Sequence, residues 1–482
     1  MSVFSFPVYH KSPRCGYCSG TKKDFGALKS EQAQQNIRDP KVYKPEHASL
    51  GMVTGGMTCQ IYDELINKGF RRSGDYLYKN DLLRSCCRSY TIRTNSQYLK
   101  MHKNHRKALN KFVKTISGDD DSASKRGKGP LTLLWLAYQE QQHLDDTFHT
   151  VFEEADLTEE KYRLYKKYQI HVHNDEPEDV STSQFERFLC TKPFTDVTNR
   201  TPEHQAAQFE YLNNWLKNYD LTTGKVPNPN NIKPLGAIHE CYYLHDKLIA
   251  ISVLDFLPTG ISSVYFIWDP DYAHLSLGTV SGLRDILLCK ALDLGYYYLG
   301  YYIADCVKMN YKLKFGGEIL DLTTQTYFPL NKIEKYVSDG KLFSIKPSSS
   351  LVLDYSKFPE TYEESQFNGK ELIESSTDVY GNPKTYKKAD ELHKKICRIL
   401  GMDLLISGRE IPLVSPGFGT LEYLYQCTTE GIFDTLTIIM RLGVEDYEIR
   451  FMELTIEGKR MVINAIRAFG LSILLRSTMS LY

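Results

Sequence analysis

Two close pairs of cysteines offer the most specific chemistry in the chain: Cys15 and Cys18 in R-C-G-Y-C-S, and the adjacent Cys86 and Cys87 in R-S-C-C-R-S. A C-x-x-C knuckle presents two thiolates to one soft cation or cluster, and a second pair completes fourfold sulfur coordination. Such a set suits zinc and an iron–sulfur cluster alike, and His10, His102 or His105 could supply a nitrogen in place of one sulfur. The 482 residues hold eleven cysteines, an odd number. Met1–Lys11 has no cationic stretch leading into an apolar run, and no later window offers the ~18 apolar residues of a membrane span. The expectation is a reducing compartment, cytosol or nucleus, with no membrane partner.

A second chemistry is written in charge. Lys plus Arg and Asp plus Glu balance at 59 each, yet between Asp81 and Asp119 nine basic residues accumulate without one acid. Apolar Leu109, Phe112, Val113 and Ile116 predict a helix over Tyr98–Ile116 with its cations on the other faces. Lys100, Lys103, Arg106, Lys107 and Lys111, with Arg71 and Arg72 in the preceding hairpin, are the candidates for contact with a phosphate backbone.

These groups must be positioned by an α+β fold. Strands are expected at Ala237–Leu244, Lys247–Phe256 and Ile261–Trp268, then a helix capped by Ser276, then a strand at Tyr296–Tyr302. That order is the centre of an acyltransferase fold of N-acetyltransferase type, where the helix N-terminus receives an anionic donor. Ser276 and Gly278 lie in this turn, but Leu275–Gly282 lacks the Arg or Gln and closely spaced glycines of coenzyme A binders, so no coenzyme A is expected. The expected organisation is a metal-organised N-terminal domain that contacts a phosphate backbone (1–118), a mobile linker (119–130), the N-acetyltransferase-like mixed sheet with flanking helices (131–346), and a polar loop with a helical C-terminal extension (347–482). The extension is read as helical at Phe433–Leu442 and Arg460–Leu475.

Several segments together resemble the eukaryotic arginyl-tRNA-protein transferases of fungal type: Cys15-Gly16-Tyr17-Cys18, Gly69-Phe70-Arg71-Arg72-Ser73-Gly74, Cys86-Cys87 with Tyr90-Thr91-Ile92-Arg93, Ser183-Gln184-Phe185, Asp269-Pro270-Asp271-Tyr272, and Tyr301 to Tyr311. The resemblance spans about Cys15 to Phe328; Arg88 and Val307 stand where the family often has proline. It implies transfer of arginine from arginyl-tRNA to the α-amine of proteins beginning with Asp, Glu or oxidised Cys, as a degradation mark read by a ubiquitin ligase. The partners implied are arginyl-tRNA and acceptor proteins with acidic N-termini.

An aminoacyl ester is already activated, so the site needs a neutral amine, alignment and oxyanion stabilisation. Asp255 and His239 are the candidate amine-handling groups, and Tyr265 and Tyr302 candidate hydrogen-bond donors. An arginyl guanidinium calls for an acidic wall, for which Asp269, Asp271 and Asp305 are available. The acidic first residue of an acceptor calls for a cation, Lys308 or Arg284. The competing expectations are an acetyl-CoA-dependent protein N-acetyltransferase and a non-catalytic, metal-dependent RNA-binding adaptor.

Overall fold

Residues from the two ends of the chain meet in one sheet. A computed structural model describes residues 1–19, 47–117, 132–143, 147–229, 235–338, 341–345, 359–362, 380 and 382–481; the expected linker at 119–130 and most of the polar loop lie outside these. The strands run β1 (Ser2–Ser5), β2 (Val8–Ser12), β3 (His47–Gly56), β4 (Arg71–Ser73), β5 (Tyr76–Asn80), β6 (Tyr90–Asn95), β7 (Phe148–Glu154), β8 (Gly236–Leu244), β9 (Lys247–Phe256), β10 (Gly260–Trp268), β11 (Tyr296–Tyr302), β12 (Glu318–Asp321), β13 (Thr326–Pro329), β14 (Glu360–Thr361), β15 (Thr437–Leu442), β16 (Glu445–Arg450) and β17 (Ser477–Ser480). The longer helices include α1 (Cys59–Ile66), α2 (Lys103–Ile116), α3 (Leu133–Gln142), α4 (Glu159–Tyr168), α5 (Leu277–Ala291), α6 (Pro383–Leu400) and α7 (Ile456–Phe469).

One sheet has eight strands in the order β16-β15-β17-β1-β3-β5-β4, with β2 also on β3; the other has nine, in the order β14-β13-β12-β6-β11-β10-β9-β8-β7. This pairing cuts across the expected boundaries at 118 and 347. β6, expected in the N-terminal domain, lies between β11 and β12 inside the nine-stranded sheet, with Tyr90–Thr94 buried. The C-terminal extension supplies β15–β17 to the N-terminal sheet, where β17 runs parallel to both β1 and β15. Phe433–Leu442 is therefore not a helix: only Ile432–Thr435 is helical, and Thr437–Leu442 extends into β15. Buried Arg84 fastens the extension, donating to Val414 O and Ser415 Oγ at 2.9 Å, and Asn464 donates to Pro7 O at 2.8 Å.

β8 and β9 form a hairpin whose two-residue turn, His245-Asp246, has φ of 47° and 59°, the left-handed pair that matches strand twist. β10 and β11 are parallel and joined by α5, but pair only from Gly260↔Tyr296 to Ser262↔Tyr298. Gly260 allows that pairing: a Cβ there would lie 2.0 Å from Tyr296 O. Beyond it both strands change register, β10 between Ser263 and Tyr265 and β11 between Tyr298 and Tyr301. Such irregularities bend a strand and end local pairing. The two strands part, and a wedge opens beneath the start of α5.

Candidate functional site

The four cysteine sulfurs lie within 4.8 Å of one another, with Cys18 Sγ 3.5 Å from Cys86 Sγ. Cys15 and Cys18 follow β2, and Cys86 and Cys87 sit in the turn before β6. That turn is fixed by Asp81, whose carboxylate accepts from the Leu83 amide at 2.9 Å and from Arg84 Nη1 at 2.8 Å. Ile303, Cys306 and Met309 pack against the group, so it also anchors the start of the 3-10 helix Val307–Phe315. His10, His102 and His105 do not join it: among the described residues the group is the four cysteines. His105 is instead buried, its ring 5.0 Å from Phe315, and burial lowers it to about 4. A tetrahedral ion with metal–sulfur bonds of ~2.3 Å sets its sulfurs ~3.8 Å apart, which these four can satisfy.

The wedge between β10 and β11 holds a cavity of about 300 Å³. Ser276, Gly278 and Thr279 form its mouth, Ser263, Ser281 and Tyr297 its depth, and Tyr168, Tyr311 and Phe315 its flank. Ser276 holds the expected N-cap position, but with a left-handed φ of 55° and no side-chain cap bond, so the positive end of α5 faces the mouth. Around the rim, Tyr168 meets Tyr265 edge-on at 6.1 Å, and Tyr265 Oη lies 3.0 Å from His173 Nε2 and 3.2 Å from Gln169 Oε1. Gln169–His173 is a π-helical turn continuing α4, a feature often found at functional sites. Burial, then the Lys308 charge, lowers the His173 pKa below its usual 6.5. Gln169 also reaches a wider cleft of about 650 Å³ that includes Asp175, Gln184 and Arg187.

Several expected site residues are committed elsewhere. Asp255 is not a free base: it is fully buried and accepts from Arg72 Nε at 2.7 Å and Nη2 at 2.5 Å. Arg72 is thereby withdrawn from tRNA, as is Arg71, which is buried and donates to Ile66 O at 3.1 Å and Gly300 O at 2.9 Å. His239 is a core histidine whose Nε2 lies 3.0 Å from Leu189 O, and burial lowers it to about 3. Tyr302 is a buried core residue, pushed up to about 12 by burial. Arg284 cannot meet an acceptor: it is enclosed, bonded to Glu140 at 2.9 Å and Glu240 at 2.5 Å. Asp269 and Asp271 are no open acidic wall, since Lys167 lies 2.5 and 2.6 Å from them and Lys247 reaches Asp269 at 3.1 Å.

Other candidates keep access. Lys308 and Asp305 are exposed, Tyr265 stands at the rim, and Ser276 and Gly278 form the mouth. Lys100, Lys103, Arg106, Lys107 and Lys111 are all exposed on or just before α2, whose buried face packs on α5. The rim residues that sequence reasoning missed are Tyr168 and His173. Both lie in a segment with no motif of its own.

The chain matches two family models, "Arginine-tRNA-protein transferase, N terminus" over residues 13–107 and "Arginine-tRNA-protein transferase, C terminus" over residues 160–321. It is 42% identical over 353 residues to arginyl-tRNA--protein transferase 1 of Saccharomyces cerevisiae, covering 72% of this chain and 67% of that one. The corresponding Drosophila melanogaster protein is 27% identical, over 68% of this chain and 81% of its own length. A Campylobacter jejuni aspartate/glutamate leucyltransferase is 33% identical over 31% of this chain and 67% of its own. The two matched regions take in the cysteine pairs, the π-helical turn, the wedge and α5, and the chain belongs to the arginyl-tRNA-protein transferase family.

Proposed function

We propose that the chain transfers arginine from arginyl-tRNA to the α-amine of proteins beginning with Asp, Glu or oxidised Cys, with the wedge cavity as the donor site. The observation that carries the assignment of the cavity is the stacking of His105, on the basic helix α2, against Phe315, which lines the cavity. A tRNA acceptor stem lying along Lys103, Arg106, Lys107 and Lys111 would thus deliver its 3′ end to the mouth at Ser276 and Gly278. The parting of β10 and β11 beneath the start of their crossover helix supports an N-acetyltransferase-like descent, with an ester donor in place of coenzyme A. The leucyltransferase relative is named for aspartate and glutamate, and this supports an acidic acceptor.

In this reading the acceptor amine attacks the ester carbonyl carbon, a C–N bond forms, and the C–O bond to the tRNA ribose breaks. His173, assisted by Tyr265, takes the ammonium proton at Nε2 before attack, and the second proton lost by the attacking nitrogen passes to the departing ribose oxygen, which leaves as the tRNA hydroxyl. The lowered pKa of His173 keeps the ring neutral at pH 7, as a base must be. Lys308 beside it receives the acidic first side chain. Cys15, Cys18, Cys86 and Cys87 would hold a single tetrahedral ion, best zinc, since a cluster spreads its thiolates over several irons. Such an ion would supply structural cross-linking. The product is a degradation signal for a ubiquitin ligase, in cytosol or nucleus; among the described residues no helix is long and apolar enough to cross a membrane.

Gly278→Phe tests the donor site, because a Cβ there meets nothing closer than Phe266 at 3.7 Å and the ring would fill the mouth without a backbone clash. Loss of transfer with tRNA binding and thermal stability kept is expected. Transfer at the wild-type rate would move the donor elsewhere.

A further inference from the structure

The buried charges beneath the cavity do not balance. Glu140 on α3, Glu240 on β8 and Asp285 on α5 are all nearly inaccessible and face a single buried guanidinium, Arg284. Arg284 donates to Glu140, Glu240 and Thr150. Asp285 Oδ2 accepts from Tyr297 Oη at 2.8 Å and from Ser281 Oγ at 3.4 Å, and both donors line the cavity. Its other oxygen, Oδ1, has no hydrogen-bond partner among the described residues although the side chain is buried.

Helix geometry puts this carboxyl under the mouth. Gly278, Ser281, Gly282 and Asp285 are spaced i, i+3, i+4 and i+7, so they share one face of α5, and the first three line the cavity. At 1.5 Å per residue Asp285 lies ~10 Å below Gly278. A long side chain entering at Gly278 would end its reach there.

We infer that Asp285, backed by Glu240, receives the guanidinium of the arginyl donor and so sets the amino-acid specificity of the cavity. The inference rests on the cavity being the donor site. Once ionised, this carboxylate lacks a donor at Oδ1, and a guanidinium offers a rigid fork of N–H groups with the missing positive charge. Burial and the Glu240 charge push empty Asp285 up to about 8. The groups facing it are Glu240 and Tyr242 from β8, Tyr297 from β11, and Arg284, Ser281 and Cys289 from its own helix. An entering guanidinium would favour the ionised carboxylate, so binding would release a proton near pH 7.

Citrulline has the shape of arginine without its charge. Transfer to an Asp-initiated peptide is therefore measured from arginyl-tRNA and from citrullyl-tRNA charged by a ribozyme, with wild-type protein and Asp285→Asn. Wild type is expected to prefer arginyl by ~100-fold or more in kcat/KM, and Asp285→Asn by less than ~10-fold, mainly through loss of arginyl transfer. A folded Asp285→Asn protein that keeps the full preference overturns the inference and leaves the donor-site reading intact. Wild type that transfers neither overturns that reading, and the inference with it. Should Asp285→Asn not fold, calorimetry on wild type with non-hydrolysable arginyl- and citrullyl-adenosine amides decides. Proton release and tighter binding peculiar to the arginyl compound support the inference, and equal affinity and equal proton release contradict it.

Discussion

Arg72 of β4 closes two hydrogen bonds on Asp255 of β9, at 2.7 and 2.5 Å, with both side chains sealed from solvent. The pair joins the eight-stranded sheet to the nine-stranded one, and its role is cohesion. Removing one member strands a buried charge, at a cost of ~3–5 kcal/mol, whereas replacing both with apolar groups is nearly neutral. Arg72→Met should therefore lower stability by that amount in urea unfolding, and Arg72→Met with Asp255→Leu should recover most of it. A single variant of unchanged stability whose kcat collapsed would return Asp255 to the chemistry.

The basic face of α2 predicts a salt signature. Lys103→Glu with Lys107→Glu should weaken tRNA binding and flatten its dependence on log salt, by ~0.7–0.9 for each phosphate that the variant no longer neutralises. Arg71→Ala should reduce stability and leave that slope alone, because Arg71 is spent on backbone carbonyls. An unchanged slope in the double variant would place the RNA elsewhere.

The proposed acceptor role of Lys308 and the effect of its charge on His173 can be tested together. With His173 as the proposed base, its neutral imidazole is the active form, so activity should rise with pH through a limb below 6.5, where burial and then Lys308 hold it. Lys308→Ala removes one of these causes and should move the limb upward, while raising the KM for an Asp-initiated peptide ~10-fold or more and that for arginyl-tRNA little. His173→Gln should remove the limb. A pH profile of kcat/KM reads all three, and an unmoved limb in Lys308→Ala would separate Lys308 from the base.

The cysteine group predicts that metal and cavity are linked. Cys86 is fully buried among the four sulfurs, and Cys86→Ser should cut metal affinity by ~100-fold or more. Because the group anchors the segment that carries Tyr311 and Phe315, metal loss should lower the melting temperature and raise the KM for arginyl-tRNA. Metal content by elemental analysis beside a melting curve checks this; complete removal without either change would refute the link.

Much of this arrangement was legible in residue order because its signals are local. The two cysteine pairs, the His245-Asp246 turn, the apolar β-branched and aromatic runs of β9 and β10, and the polar face of α2 each declare themselves within a short stretch of chain. β15 did not, since Ile438, Ile439, Met440 and Leu442 form a short apolar run that suits helix or strand until β17 lies beside it. Nor did the fate of the charges. Arg72 and Asp255 are 183 positions apart, Arg284 and Glu140 are 144 apart, and only the assembled sheets bring them together and close them from water. Asp285 was hidden for a different reason: Tyr297 is only 12 positions on, but the contact exists only once β11 is folded back beside α5.

The most direct measurement is transfer of labelled arginine from purified arginyl-tRNA to two peptides differing only in an N-terminal Asp or Ala, with bound metal assayed on the same sample. Transfer confined to the Asp peptide is the expected result. Metal-replete protein that labels neither peptide, or both equally, would contradict the assignment of this chain as an arginyltransferase selective for acidic N-termini.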